Sequence, residues 1–182
     1  MPVKIIVSGG FGVGKTTAIG ALSDIEPLTT EAAMTTAAIG IDDPGQRDGK
    51  TTTTVAFDFG RVTISSSIVL FMFGTPGQDR FGFMWPDLLD GALGGLVLVD
   101  TSRIDDCFVA LDYFEKVGLP FVVAVNQFEG RHNLSLEQVR RAANVDGDVP
   151  VVAVDARDHE SMKQLVLTLL DVLLRRAQAA RA

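Results

Sequence analysis

The stretch Val3-Lys4-Ile5-Ile6-Val7-Ser8-Gly9-Gly10-Phe11-Gly12-Val13-Gly14-Lys15-Thr16-Thr17 constrains this chain more than any other. It reads as a short apolar strand, then G-x-x-x-x-G-K-T, then the start of a helix at Ala18-Ile19. Glycines at 9, 10, 12 and 14 allow backbone dihedrals that a side chain forbids, so successive N–H groups can turn inward around an anion. The following helix points its positive end at the same spot. Lys15 is then placed to neutralise the outer phosphates, and the Thr16 hydroxyl to ligate Mg²⁺. Residues 10–17 (Gly10, Phe11, Gly12, Val13, Gly14, Lys15, Thr16 and Thr17) are therefore the candidate phosphate cradle.

With 182 residues, 47% of them hydrophobic and 21% charged, the chain suits one globular domain with a sizeable core, spanning 1–182. The net charge of −7 argues against nucleic acid or an anionic membrane as the main partner. Cys107 is the only cysteine, which excludes a disulfide framework within one chain. No run of 18 apolar residues is present, and no signal peptide or lipidation motif is evident, so we expect a cytoplasmic protein.

Apolar runs alternate with amphipathic stretches, the pattern of an α/β domain with a mostly parallel sheet. Six strands are expected: Val3–Val7, Val55–Arg61, Ile68–Phe73, Gly95–Asp100, Phe121–Val125 and Val149–Val154. Helices are expected at Thr16–Asp24, Asp105–Val117, Ser135–Ala143 and Ser161–Arg176, with a short one inside the Gly74–Asp90 loop. Ser135 followed by Gln138 has the spacing of a capping box. Ser65-Ser66-Ser67 suggests an antiparallel hairpin between the second and third strands. Glu26 to about Thr53 reads as a long polar loop.

In open parallel sheets, ligands bind beyond the carboxyl ends of strands. After the third predicted strand comes Phe73-Gly74-Thr75-Pro76-Gly77-Gln78-Asp79-Arg80-Phe81; after the fifth, Asn126-Gln127-Phe128-Glu129; after the sixth, Asp155-Ala156-Arg157. With the first loop, these segments follow the order and spacing of the Ras-like small GTPases, and the resemblance covers nearly the whole chain. Gly9–Thr17, Glu31-Ala32-Ala33-Met34-Thr35, Lys50-Thr51-Thr52-Thr53-Thr54 and Phe73–Phe81 resemble more closely the conservon-type bacterial GTPases, relatives of the gliding-motility (Mgl-type) GTPases.

That resemblance implies a P-loop NTPase with a Ras-like G domain: a mostly parallel six-stranded sheet with helices on both faces. It implies a switch that binds GTP or GDP with Mg²⁺ and hydrolyses GTP slowly, with roadblock/LC7-type regulatory partners. Gly77 would give its N–H to the γ-phosphate, and Gln78 would orient the attacking water while Lys15 supports the transferred group. Asn126, Gln127 and Glu129 take the places of an N-K-x-D guanine motif. The Glu129 carboxylate accepts from the guanine N1–H and exocyclic amine. Ala156 and Arg157 take the places of the alanine and lysine in an S-A-K-like segment, the alanine N–H meeting guanine O6.

Three departures stand out. Gly74 replaces the aspartate that usually helps to hold Mg²⁺, leaving Thr16 and a second hydroxyl, for which Thr54 is the candidate and Thr51, Thr52 and Thr53 are competitors. Phe11 places a large ring near the γ-phosphate. Glu129 stands in place of the shorter aspartate. Together they leave open a second reading, a pseudo-GTPase module that holds nucleotide without turnover. A small P-loop kinase or ATPase is the third, opposed by Asn126 and the Pro-Gly-Gln segment. Arg47 and Arg80 are candidate internal arginine fingers, each otherwise solvent-facing; Asp100 either ends its strand or is linked to the metal. Trp85 belongs either to the core or to a partner-binding patch.

Overall fold

The computed structural model describes residues 1–26, 28–35, 52–77, 84–127 and 134–181. A seven-stranded sheet forms its centre, in the order β2-β3-β4-β1-β5-β6-β7. The strands are β1 (Pro2–Gly9), β2 (Leu28–Thr35), β3 (Thr52–Ser65), β4 (Ile68–Gly74), β5 (Gly94–Val99), β6 (Phe121–Asn126) and β7 (Val151–Val154). From β4 through β7 every pairing is parallel, whereas β2–β3 and β3–β4 are antiparallel.

All six expected strands are present. The seventh, β2, lies in the segment expected to be a loop. It pairs along its whole length with β3, from Leu28 opposite Phe59 to Thr35 opposite Thr52. The physical reason is non-local: a run of Thr, Glu and Ala has no apolar stretch of its own, but β3 extends over 14 residues and offers it a free edge.

The parallel strands read as continuous apolar runs because both sheet faces are covered. Period-two alternation divides them. Ile5, Val7, Leu96, Leu98, Val122 and Ala124 pack with helices α1 (Lys15–Leu22) and α5 (His159–Ala179). Ile6, Val97, Val99, Val123 and Val125 pack with α3 (Phe108–Val117) and with Val139 of α4 (Leu136–Ala143). Trp85 opens the short helix α2 (Trp85–Leu89) and is buried on this second face, edge-on to Tyr113 with ring centroids 5.1 Å apart. Of its two readings the core is the one observed.

Local signals hold where they are strong. The Ser135–Gln138 capping box forms with both reciprocal hydrogen bonds. The hairpin at Ser65–Ser67 forms, with a one-residue register shift between Thr63 and Ser65. The expected Asp105–Val117 helix begins later, at Phe108, because Thr101–Cys107 is a 3₁₀ segment interrupted at Arg103 (φ −142°, ψ 55°).

Candidate functional site

The carboxyl ends of β1, β4, β6 and β7 bring the predicted segments to one edge of the sheet. Between β1 and α1 the loop takes positive φ at Gly9 (135°), Gly12 (73°) and Gly14 (103°), a region that side chains disfavour. Val13 is buried beneath the loop, while Phe11 is 65% exposed, its ring standing clear of the core. α1 starts at Lys15, and the Ala18 N–H donates to Gly14 O at 2.8 Å.

Lys15 is buried, and its ammonium donates to Gly9 O at 2.8 Å and Gly10 O at 2.7 Å. Burial pushes its pKa down from 10.5 to about 8, and the Asp58 carboxylate opposes that shift. Gly77 comes up against the same lysine: a Cβ there would lie 2.8 Å from Lys15 Nζ and 2.8 Å from Phe11 Cα. The structure thus assembles Lys15, the cradle and Gly77. Gln78, which follows Gly77, lies outside the described residues, as do Arg47, Thr51, Arg80 and Glu129.

The second hydroxyl expected beside Thr16 is not what stands there. The Thr16 hydroxyl donates to Asp58 Oδ2 at 2.6 Å. Asp58 belongs to β3, and it faces Gly74 of β4 one step beyond the Phe59–Phe73 pair. A Cβ on Gly74 would lie 3.0 Å from Asp58 Cβ and 3.4 Å from its Oδ2. The glycine that breaks the family pattern therefore makes room for a carboxylate from the neighbouring strand. Thr54 lies four residues earlier in β3, paired with Ala33 of β2, and at ~3.3 Å per residue that is about 13 Å from Asp58. This arrangement does not bring Thr54 to Thr16. Asp58 is the residue that motif reading missed.

Thr16 and Asp58 present hard oxygen donors beside the phosphate cradle, and donors of that kind fit Mg²⁺, which takes one or two carboxylates and completes its octahedron with phosphates and water. By giving its proton to Asp58, the Thr16 hydroxyl keeps its oxygen lone pairs for a cation. No group of three or more His, Cys, Asp or Glu side chains suited to a metal occurs among the described residues. Asp100, the other carboxylate considered, follows the last residue of β5, accepts from Ser102 N and Ser102 Oγ, and caps the start of the 3₁₀ segment Thr101–Cys107.

At the far end of the cradle, buried Asn126 works as a brace. Its Nδ2 donates to Val13 O at 2.9 Å, and its Oδ1 accepts from Ala156 N at 3.0 Å. P-loop, β6 end and β7–α5 loop are thereby joined. Ala156, expected to offer its N–H to a base, gives it to Asn126 here. Gln127 is half-buried at the end of β6. Arg157 forks onto Asp155, through Nε at 2.9 Å and Nη2 at 2.8 Å, and holds that carboxyl down at about pKa 2.

Residues 7–176 match a protein family described as a conserved hypothetical ATP binding protein. The chain belongs to that family. A curated relative is an uncharacterized protein, MJ1339, of Methanocaldococcus jannaschii, 38% identical over 101 residues. The match covers 56% of this chain and 53% of the relative, so it spans about half the relative's length. Among solved structures, the G domain of the T. maritima FeoB iron transporter superposes with a TM-score of 0.65 at 16% identity, covering 94% of this chain and 99% of that one. The cytosolic domain of the same transporter in its apo form gives a TM-score of 0.65 at 16% identity, covering 95% of this chain and 64% of that one. At this identity the likeness establishes the fold. This family member is a nucleotide-binding protein with the P-loop, Ras-like G-domain architecture. No helix among the described residues is long and apolar enough to cross a membrane.

Lys15 gives a test of the cradle in the nucleotide-free protein. A lysine with a depressed folded-state pKa binds fewer protons when folded than when unfolded, between the two values. The Lys15 contribution to the parent's stability should rise with pH from about 8 to 10.5. In thermal or urea unfolding across that range, Lys15→Met should lack this rise; an identical pH profile in the two proteins would contradict the burial of a charged lysine.

Proposed function

We propose that this chain is a single G domain over 1–182 that acts as a guanine-nucleotide switch. It binds GTP and GDP with Mg²⁺ and turns GTP over slowly in bacterial signalling in the cytoplasm. The observation that carries the reading is the Asn126 brace, which ties the phosphate cradle to both loops that flank a base. A base held between them lies at the end of the cradle where the chain runs on to Glu129. A carboxylate there accepts two hydrogen bonds from the guanine N1–H and amino group, whereas adenine offers no matching donor pair.

Each residue then has a task. The N–H groups of residues 10–17 cradle the phosphates, and Lys15 leaves its loop carbonyls to pair with the outer ones. Gly77 sits beside Lys15 and Phe11, where its N–H can meet the terminal phosphate. Gln78 orients the attacking water. Mg²⁺, when bound with the nucleotide, neutralises charge on the phosphate oxygens. Thr16 and Asp58 are the residues that would hold it. Thr54 joins them only if the first residues of β3 leave β2. Gln127 and Arg157 flank the base, with Arg157 kept in place by Asp155.

Slow unassisted turnover follows from the large Phe11 ring at the phosphate end, which crowds the transition state, together with Gly74 in place of the usual metal-holding aspartate. The family resemblance supports roadblock/LC7-type regulators as the partners that relieve this. The family's description as ATP binding is the specific ground for a second reading, with an adenine nucleotide in the same cradle.

Competition between GDP and ADP for the purified protein separates the two. GDP should displace bound nucleotide at concentrations at least 100-fold lower than ADP, the discrimination expected when a wrong base leaves the carboxylate without its two donors. Equal potency would remove the guanine reading. In single-turnover assays Gln78→Leu should bind GTP like the parent and lose hydrolysis by at least 10-fold; normal cleavage by that variant would remove Gln78 from its role.

A further inference from the structure

The loop after β5 makes contacts that the switch reading does not use. Thr101–Cys107 lies against the back of the phosphate cradle. Asp100 shapes its start by accepting from Ser102, and Arg103 N donates to Asp100 O at 3.0 Å. Arg103 then leaves helical geometry, and its side chain reaches the P-loop, where Nη2 donates to the carbonyl oxygen of Phe11. Asp106 lies 3.6 Å from the Arg103 Nε. The same Asp106 fills the space behind Gly10, where an added Cβ would come within 2.5 Å of Asp106 Cβ. One acidic side chain thus steadies the guanidinium and supports the loop that the guanidinium holds.

We propose that Arg103 is a positioning residue for the phosphate cradle: it fixes the Phe11 carbonyl outward and thereby aims and strengthens the Gly12 N–H as an anion donor. In a trans peptide, the carbonyl of one residue and the N–H of the next point in opposite directions. All peptides of the described chain are trans. The guanidinium on the Phe11 oxygen therefore sets the Gly12 N–H away from Arg103. A charged donor on the carbonyl also polarises the amide and makes its N–H more acidic as a hydrogen-bond donor. That N–H is available: Val13 N turns back towards Gly10 O, whereas no backbone carbonyl among the described residues takes the Gly12 N–H. Gly12 itself has φ 73°, and a Cβ there would lie 3.7 Å from Arg103 Nη2, so the guanidinium lies alongside the peptide it controls.

The inference rests on the phosphate-cradle part of the reading above and not on the identity of the base. The test is the amide spectrum of isotope-labelled protein with Mg²⁺–GDP and, separately, with inorganic pyrophosphate, a probe that ignores the base. In the parent, either probe should move the Gly12 amide proton downfield. Arg103→Ala should lose at least half of that movement and release GDP about 5- to 10-fold faster, the size of one lost hydrogen bond from a half-exposed side chain. Arg103→Lys should recover most of both, and Arg103→Gln should fall between. Thermal midpoints should stay close to the parent's, since the side chain is half exposed. If Arg103→Ala moves the Gly12 signal as far as the parent does, the proposal is overturned while the cradle stands. If the parent's Gly12 signal answers neither probe, both are overturned. Should Arg103→Ala not fold, the Gln and Lys variants decide by the same two readouts.

Discussion

The hydrogen bond from Thr16 to Asp58 is the interaction on which the site's chemistry depends. It joins the first residue after the cradle lysine to β3. The bond exists because Gly74 carries no side chain: a Cβ there would press on Asp58 Cβ at 3.0 Å and on the Ile19 Cδ1 at 3.3 Å. A missing carboxylate on β4 and a present one on β3 are therefore one structural fact. Antiparallel neighbours directly opposite each other share a sheet face, so a functional group can pass from one strand to the other with little displacement.

The rest of the edge is organised by backbone and amide contacts with few charges. Asn126 spends both ends of its amide on the P-loop and the β7–α5 loop, which ties the two loops together. Ser8 and Thr75 meet at 2.9 Å, and Thr75 N donates to Val7 O, fixing the start of the Gly77 loop to the end of β1. Lys15 is the costly member of this arrangement. Burial depresses its pKa, and an anion in the cradle supplies the partner charge that desolvation removes. Phosphate binding and local stability are coupled through that one side chain.

Much of this was readable because it is local. A strand, a glycine-rich loop and a helix start lie within 15 residues, and the Ser135 cap lies within four. β2 was not readable, because Leu-Thr-Thr-Glu-Ala-Ala-Met-Thr becomes a strand only against the long β3 edge. Asp58 was visible in Thr54-Val55-Ala56-Phe57-Asp58-Phe59, yet its role follows from pairing. Counting outward from the Ser66–Ser67 turn puts it opposite Thr75. The register shift between Thr63 and Ser65 moves it to Gly74 instead. A one-residue irregularity of that kind leaves no mark in composition or periodicity. The Arg103 contact with the P-loop was hidden for a similar reason: 92 residues separate the partners, and the helix expected there gives way to a kinked 3₁₀ segment.

The most direct measurement is a Mg²⁺ titration of GDP release in three proteins: the parent, Asp58→Asn, and the exchange Asp58→Gly with Gly74→Asp. If the β3 carboxylate stands in for the one missing from β4, Asp58→Asn should need at least 10-fold more Mg²⁺ to retain GDP, a cost consistent with losing a charged partner. The exchange should restore retention to near the parent's. A parent-like Mg²⁺ dependence in Asp58→Asn would contradict the account.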